Sequence, residues 1–156
     1  MCNKVIRAFR EADLDPLVRM ILRTIDASYS GVYPPRAIQF FKDHHSEESI
    51  AERSSIGQIV LAEQDGAILA TGALVGSEII GVFVDPDHQR QGHGKAVMTE
   101  LEKRARAKGL SEIALSVSLP SRRFYESLGY EVLAQCSLDV GEGQYLNYWP
   151  GIKRLT

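Results

Sequence analysis

Cysteine is almost missing from this chain. Its 156 residues include two, Cys2 and Cys136. They share no metal-type spacing and no C-x-x-C. That excludes a disulfide scaffold and reads as two free thiols in a reducing compartment. Long apolar runs are missing as well: none approaches the roughly 20 residues that cross a bilayer. The opening "MCNKVIRAFREADLD" lacks the apolar stretch of a signal peptide. The expectation is a cytoplasmic protein with no membrane partner. Nor is there an excess of one charge, since 18 Lys and Arg stand against 20 Asp and Glu, a net charge of −2. Nucleic-acid-binding domains usually carry a basic surplus, so no nucleic-acid partner is expected. Repeats and low-complexity linkers are absent too.

What is there is ordinary for a folded domain: 44% hydrophobic and 24% charged residues. The length suits one domain, residues 1–156, with its own core. "KVIRAF" at 4–9 reads as a short strand. Asp13 can cap a helix running to about residue 28, with Pro16 tolerated in its first turn. Leu14, Leu17, Val18, Ile21, Leu22 and Ile25 then form one apolar face. Residues 35–44 make a second helix with Ile38, Phe40 and Phe41, and 46–53 a third short helical piece. Three apolar runs follow, at about 57–64, 67–75 and 78–84, separated by turn signals such as "QDG". They form an antiparallel meander.

Helical spacing returns from Gly92 to Lys108 through Val97, Leu101 and Ala105, with Gly109 as the stop. A strand at 112–117 comes next. A short helix follows, capped by Ser118 and ended at Gly129. Two last strands read from "EVLAQCSL" and "YLNYWPGIKRL". The class is mixed α/β (α+β type), a mostly antiparallel twisted sheet of about seven strands with helices on both faces.

The stretch "VDPDHQRQGHGKAVM" puts two glycines, Gly92 and Gly94, at the mouth of a helix that follows a strand. Glycine is about 1 kcal/mol worse than alanine inside a helix. Free backbone N–H groups and the helix dipole at such a position favour an anion. Arg90 and Lys95 can add charge. A Walker A loop fails here, because Gln89 and Ala96 occupy its first glycine and hydroxyl positions. A dinucleotide fingerprint fails at Val97. A plain tight turn and an anion site remain as alternatives.

"Gln89-Arg90-Gln91-Gly92-His93-Gly94" resembles the (Gln/Arg)-x-x-Gly-x-(Gly/Ala) signature of the GCN5-related N-acetyltransferases, the GNAT superfamily. "RRFYESLGYE" resembles that family's "FYE-x-x-GF" segment. The likeness spans about residues 4–155, with the elements in the same order. It implies that the loop Gln89, Arg90, Gln91, Gly92, His93, Gly94 and Lys95 binds the pyrophosphate of acetyl-coenzyme A as co-substrate, the two glycines letting it meet bare backbone. The strand at Phe83 and Val84 would pair with the pantetheine arm, and the strand at 112–117 would splay to admit it.

The resemblance also implies direct attack by the amine in a ternary complex, with Tyr125 as general acid toward the thiolate and Glu78 as general base. A tyrosine with a pKa near 10 is protonated at neutral pH and able to donate. Ser118 and Ser121 stand where many relatives carry asparagine and alanine, and their hydroxyls could still bond the cofactor. No metal is expected. His88 and His93 read as exposed residues beside the loop, and "DHHSEES", with His44, His45, Glu47 and Glu48, as a solvated helix end. The acceptor expected is an amine on a small molecule or peptide. Tyr29, Tyr33, Tyr145, Tyr148 and Trp149 are candidates to line its slot. Homodimers are common in the family. Two rival classes stand beside the enzyme. One is a catalytically silent acyl-coenzyme A sensor. The other is an interaction protein using "KRARAK" at 103–108.

Overall fold

A computed structural model describes residues 4–156, which leaves Cys2 outside. β1 (Lys4–Ala8) leads through one 3-10 turn into α1 (Leu14–Tyr29), α2 (Pro35–His44) and α3 (Glu47–Ile56). The meander is β2 (Gln58–Gln64), β3 (Ala67–Val75) and β4 (Glu78–Val84). Then come α4 (His93–Ala107), β5 (Glu112–Ser118), α5 (Arg122–Ser127), β6 (Glu131–Val132), β7 (Cys136–Gly141) and β8 (Gln144–Arg154). The strands form one eight-stranded sheet in the order β1-β2-β3-β4-β5-β8-β6, with β7 also on β8. Every pairing is antiparallel except that of β4 with β5.

Three local expectations are corrected. Asp13 does not cap α1. It sits in helical backbone, and its carboxylate accepts two bonds from Arg7 at 2.8 Å and one from the Arg10 amide at 2.7 Å. It therefore closes the preceding turn onto β1. Ser118 makes no cap bond either, because its hydroxyl pairs with that of Ser121 at 2.6 Å. The segment "EVLAQCSL" breaks into two strands that pair with opposite ends of the long β8, which raises the count from about seven strands to eight.

The two faces of the sheet bury separate cores. On one, Leu17, Ile21 and Ile25 of α1 pack with Ala37, Ile50 and Leu61. On the other, Val97, Leu101 and Ala105 of α4 pack on Val60, Leu74 and Ile113. Each such Val, Leu or Ile is worth about 1.5–3 kcal/mol relative to exposure. At the rim of the second core Glu102 is buried. It accepts from the Tyr130 hydroxyl at 2.9 Å and from Lys153 Nζ at 2.9 Å, while Lys153 also donates to the Leu128 carbonyl at 2.7 Å. "KRARAK" lies along the outer side of α4, with Lys103, Arg106 and Lys108 exposed and Ala105 buried. No helix among the described residues is long and apolar enough to cross a membrane.

Candidate active site

The site starts where the sheet opens. β4 and β5 share only the registered pairs Glu78↔Ala114 and Ile79↔Leu115 before they part. Just beyond, β4 carries an extra residue against β3 and bends at Gly81, whose φ of +64° few side-chain-bearing residues adopt. The parting leaves a cleft of about 290 Å³, whose walls include Tyr29, Phe41, Glu78, Phe83, Ser118 and Tyr125. The cleft thus runs from the helical layer of α1 and α2 through the sheet to α5.

The loop after β4 is held from below. Asp85 is buried and accepts from the Asp87 amide at 2.9 Å, from His88 Nδ1 at 3.2 Å and from Arg23. Burial pushes its carboxyl up, yet these bonds and charges leave it below the usual carboxylate range. The Gln89 side chain turns back onto the strand, donating to the Val84 carbonyl at 3.1 Å and the Ser28 hydroxyl at 3.4 Å. Gln89 therefore ties the loop down.

Arg90 and Gly92 both take left-handed backbone, at φ +62° and +87°. Gly92 is the N-cap of α4, and no side chain caps it. The amides of His93, Gly94 and Lys95 open the helix without intrahelical acceptors, at the positive end of its dipole. Arg90, Gln91 and Lys95 are exposed around them. This is the geometry of an anion site, and it fits a diphosphate.

Gly94 also has a packing reason to lack a side chain. A Cβ there would lie 3.1 Å from Val84 Cγ2 and 3.2 Å from Phe124 Cζ, so its place is filled by helix packing. A Cβ on Gly92 would meet no protein atom within 4 Å, so within the chain itself the positive φ sets the demand there. His93 is buried, not exposed. Its Nδ1 has no partner among the described residues, and its Nε2 faces Gln91 Oε1 at 3.3 Å. His88 is half-buried against Asp85.

In the cleft, Tyr125 is 6% exposed and no group among the described residues bonds its hydroxyl. Burial, and then the nearby Tyr29, push that hydroxyl well above the ordinary tyrosine range, so it keeps its proton. Glu78 stands exposed at the rim, within electrostatic reach of His44. The Ser118 hydroxyl accepts from Tyr29 at 3.2 Å and shares a hydrogen bond with Ser121. Phe83 is buried and packs edge-on with His45, their ring centroids 4.9 Å apart. Val84 presents its carbonyl to Gln89 and Thr24.

The five aromatics divide. Tyr29 and Tyr148 line the cleft. Tyr33 is a core residue whose hydroxyl accepts from the Leu119 amide at 2.9 Å and donates to the Asn147 carbonyl at 3.0 Å. Trp149 lies under Arg122 at 4.9 Å, and Tyr145 points outward.

The segment "DHHSEES" is not simply a solvated helix end. His44 is exposed, but His45 is 5% exposed and lines the cleft. Arg53 of α3 is 6% exposed behind it, bonding His45 Nδ1 and the His44 carbonyl, each at 3.1 Å. The one sequence signal for this pair was the lone glycine in "IIGVFV", which marks a bulge and a close approach.

The family model described as "Acetyltransferase (GNAT) family" matches residues 19–130. An uncharacterized N-acetyltransferase of Escherichia coli, YafP, is 23% identical over 152 residues, 96% of this chain and 95% of that protein. The fold is that of the GCN5-related N-acetyltransferase from Rhodopseudomonas palustris, at a TM-score of 0.88 and 20% identity over 97% of this chain and 95% of the other. It is also that of the PaiA N-acetyltransferase of Thermoplasma acidophilum, solved in complex with coenzyme A. There the TM-score is 0.80 and the identity 20% over 98% and 99% of the two chains.

Proposed function

This chain belongs to the acetyltransferase (GNAT) family, and on that premise we propose that the amides opening α4 bind the diphosphate of acetyl-coenzyme A while the gap between β4 and β5 takes its thioester arm. The protein is an N-acetyltransferase with acetyl-coenzyme A as co-substrate and an amine as acceptor. We assign the acceptor to the primary amines of small molecules or peptides, and the whole chain to one catalytic domain. One observation carries the reading. An uncapped helix start behind the left-handed Gly92 and a sheet that opens after Ile79 belong to the same crossover.

Acetyl-coenzyme A supplies an activated acetyl thioester. The chain's part is to place it and to move two protons. Glu78, at the rim, takes a proton from the incoming ammonium, directly or through water, so that a neutral amine attacks. The C–N bond forms as the C–S bond breaks. Tyr125, buried and protonated, gives its proton to the departing thiolate; the attacking nitrogen sheds its second proton to water, and Tyr125 is reprotonated from solvent. A silent sensor would have no use for both groups on one cleft.

Thermal shift tests the co-substrate. Acetyl-coenzyme A at about one hundred times its dissociation constant should stabilise the fold by roughly 2.7 kcal/mol. For a domain of this size that raises Tm by about 5–10 °C. ATP and NAD should give no comparable shift, and stabilisation by ATP alone would overturn the assignment. Gly92→Val should lower the unliganded Tm by a few degrees, since a β-branched residue at positive φ costs about 1–2 kcal/mol. It should also abolish most of the acetyl-coenzyme A shift. A full shift in that variant would move the diphosphate elsewhere.

Glu78→Gln should reduce kcat/KM at neutral pH by about tenfold. The loss is moderate because Glu78 is exposed and water can take the proton in its place. The acidic limb of the pH–rate profile should flatten as well. An unchanged profile would leave Glu78 as a strand-end carboxylate.

A further inference from the structure

Arg53 presents an unusual balance of charge. Its guanidinium is buried, and no carboxylate among the described residues pairs with it. Its two protein partners, the His44 carbonyl and His45 Nδ1, are uncharged acceptors served by one nitrogen, Nη2. The other, Nη1, lies over the bulge of β4, so close that a Cβ on Gly81 would come within 2.6 Å of it. Nη1 has no protein acceptor among the described residues, yet it is not sealed off as a buried orphan. A buried cation without a counter-ion is expensive to hold, by several kcal/mol. A chain that keeps one beside its substrate cleft gains if the substrate brings the missing negative charge.

His45 connects that charge to the cleft. A guanidinium only donates, so Nδ1 of His45 must accept, and the ring proton belongs to Nε2. His45 lines the cleft, packed against Phe83 and beside Gly81. Burial, and then the charges of Arg53 and His44, press its pKa down to about 3, so it remains a neutral donor at every working pH. Bonding to the cation polarises the ring and strengthens the remaining N–H. The rim of the same cleft carries one acid, Glu78. The cleft thus presents a carboxylate at its rim and a cation-backed N–H donor deeper in.

Resting on the acetyltransferase reading above, we infer that the acceptor is an amine that also bears a free carboxylate, an amino-acid-like zwitterion, with His45 Nε2–H binding the carboxylate and Arg53 as the positioning residue that fixes the His45 tautomer and supplies the balancing charge. A polyamine would bring further positive charge toward Arg53 and meet no acceptor at His45. The two groups deter it and favour the zwitterion.

The test pairs free amino acids with their C-terminal amides, together with linear diamines, in an acetyl-coenzyme A thiol-release assay on the full chain. Among the amino acids acetylated, kcat/KM should be at least about tenfold higher for the acid than for its amide, the scale of one hydrogen bond to a charged group. The difference should lie mainly in KM. His45→Phe, which keeps the ring and removes the donor, should bring that ratio close to one. His45→Gln, which restores an N–H donor, should recover part of it. Arg53→Gln should raise KM for the acid and not for the amide, with Arg53→Lys intermediate.

Each variant is read beside its acetyl-coenzyme A thermal shift. A retained shift shows that the fold and the co-substrate site are intact. Loss of that shift in the wild type would count against the acetyltransferase reading itself. Equal rates on acid and amide, a preference for diamines, or no turnover of any amino acid while the co-substrate still binds would overturn the carboxylate assignment alone.

Discussion

Tyr125→Phe is expected to lower kcat about 100-fold and to leave KM for acetyl-coenzyme A nearly unchanged, as measured by initial rates of thiol release. The substitution keeps the ring, which packs against Phe124 and Tyr130 at centroid distances of 5.0 and 5.7 Å. It removes only the hydroxyl, which bonds nothing else among the described residues, so no protein partner is left unsatisfied. Stability should therefore hold while the chemical step suffers, the signature of an interaction made only in the transition state. The pH dependence follows with a definite sign. Burial raises the Tyr125 pKa, so the proton to be donated stays in place as pH rises through the ordinary tyrosine value near 10. Ionisation of this tyrosine should put no alkaline limb on kcat below that value. A fully active Tyr125→Phe enzyme would remove the general acid from the mechanism.

The largest effect on stability should come from Glu102→Leu. The carboxylate is 7% exposed and is the shared acceptor of the Tyr130 hydroxyl and the Lys153 ammonium. Leucine fills much of the volume but leaves the Tyr130 hydroxyl without its acceptor and the Lys153 ammonium, only 23% exposed in its side chain, with the Leu128 carbonyl and no counter-charge. Breaking such a pair from one side costs about 3 kcal/mol, which lowers Tm by about 6–12 °C in a domain of this length. Adding Lys153→Met should recover much of the loss, because the stranded ammonium accounts for most of it. A Tm within about 2 °C of wild type for Glu102→Leu alone would show that water already serves both donors.

Periodicity made most of the fold legible in advance. α1 and α4 announce themselves by apolar residues at helical spacing, and all of Leu17, Ile21, Leu101 and Ala105 are fully buried. The meander shows because its turns carry glycine, and tight turns leave few alternatives. Local pattern fails where tertiary partners outbid it. Asp13 has the composition of a cap, but a bidentate Arg7 from a neighbouring strand holds its carboxylate. "EVLAQCSL" is apolar enough for one strand, yet β8 offers it two separate stretches of edge.

The glycine loop before α4 was readable as a motif, whereas the packing around its two glycines was not. Distinguishing a backbone demand at Gly92 from a packing demand at Gly94 requires knowing where Phe124 lies. His45 and Arg53 escaped because polar residues in a polar segment look solvated. Their burial depends on a bulge in a strand well separated from them in sequence.

The single parallel boundary in the sheet has a consequence for how the molecule breathes. β1 to β4 form one ladder and β5 to β8 another, and main-chain pairing joins them over only a two-residue register. The halves are therefore two plates riveted near one corner. Amide hydrogens of β5 beyond Leu115 have β8 on one side and an open seam on the other. Deuterium uptake should begin along that seam, well ahead of the ladder interiors, and should slow there when a ligand closes it.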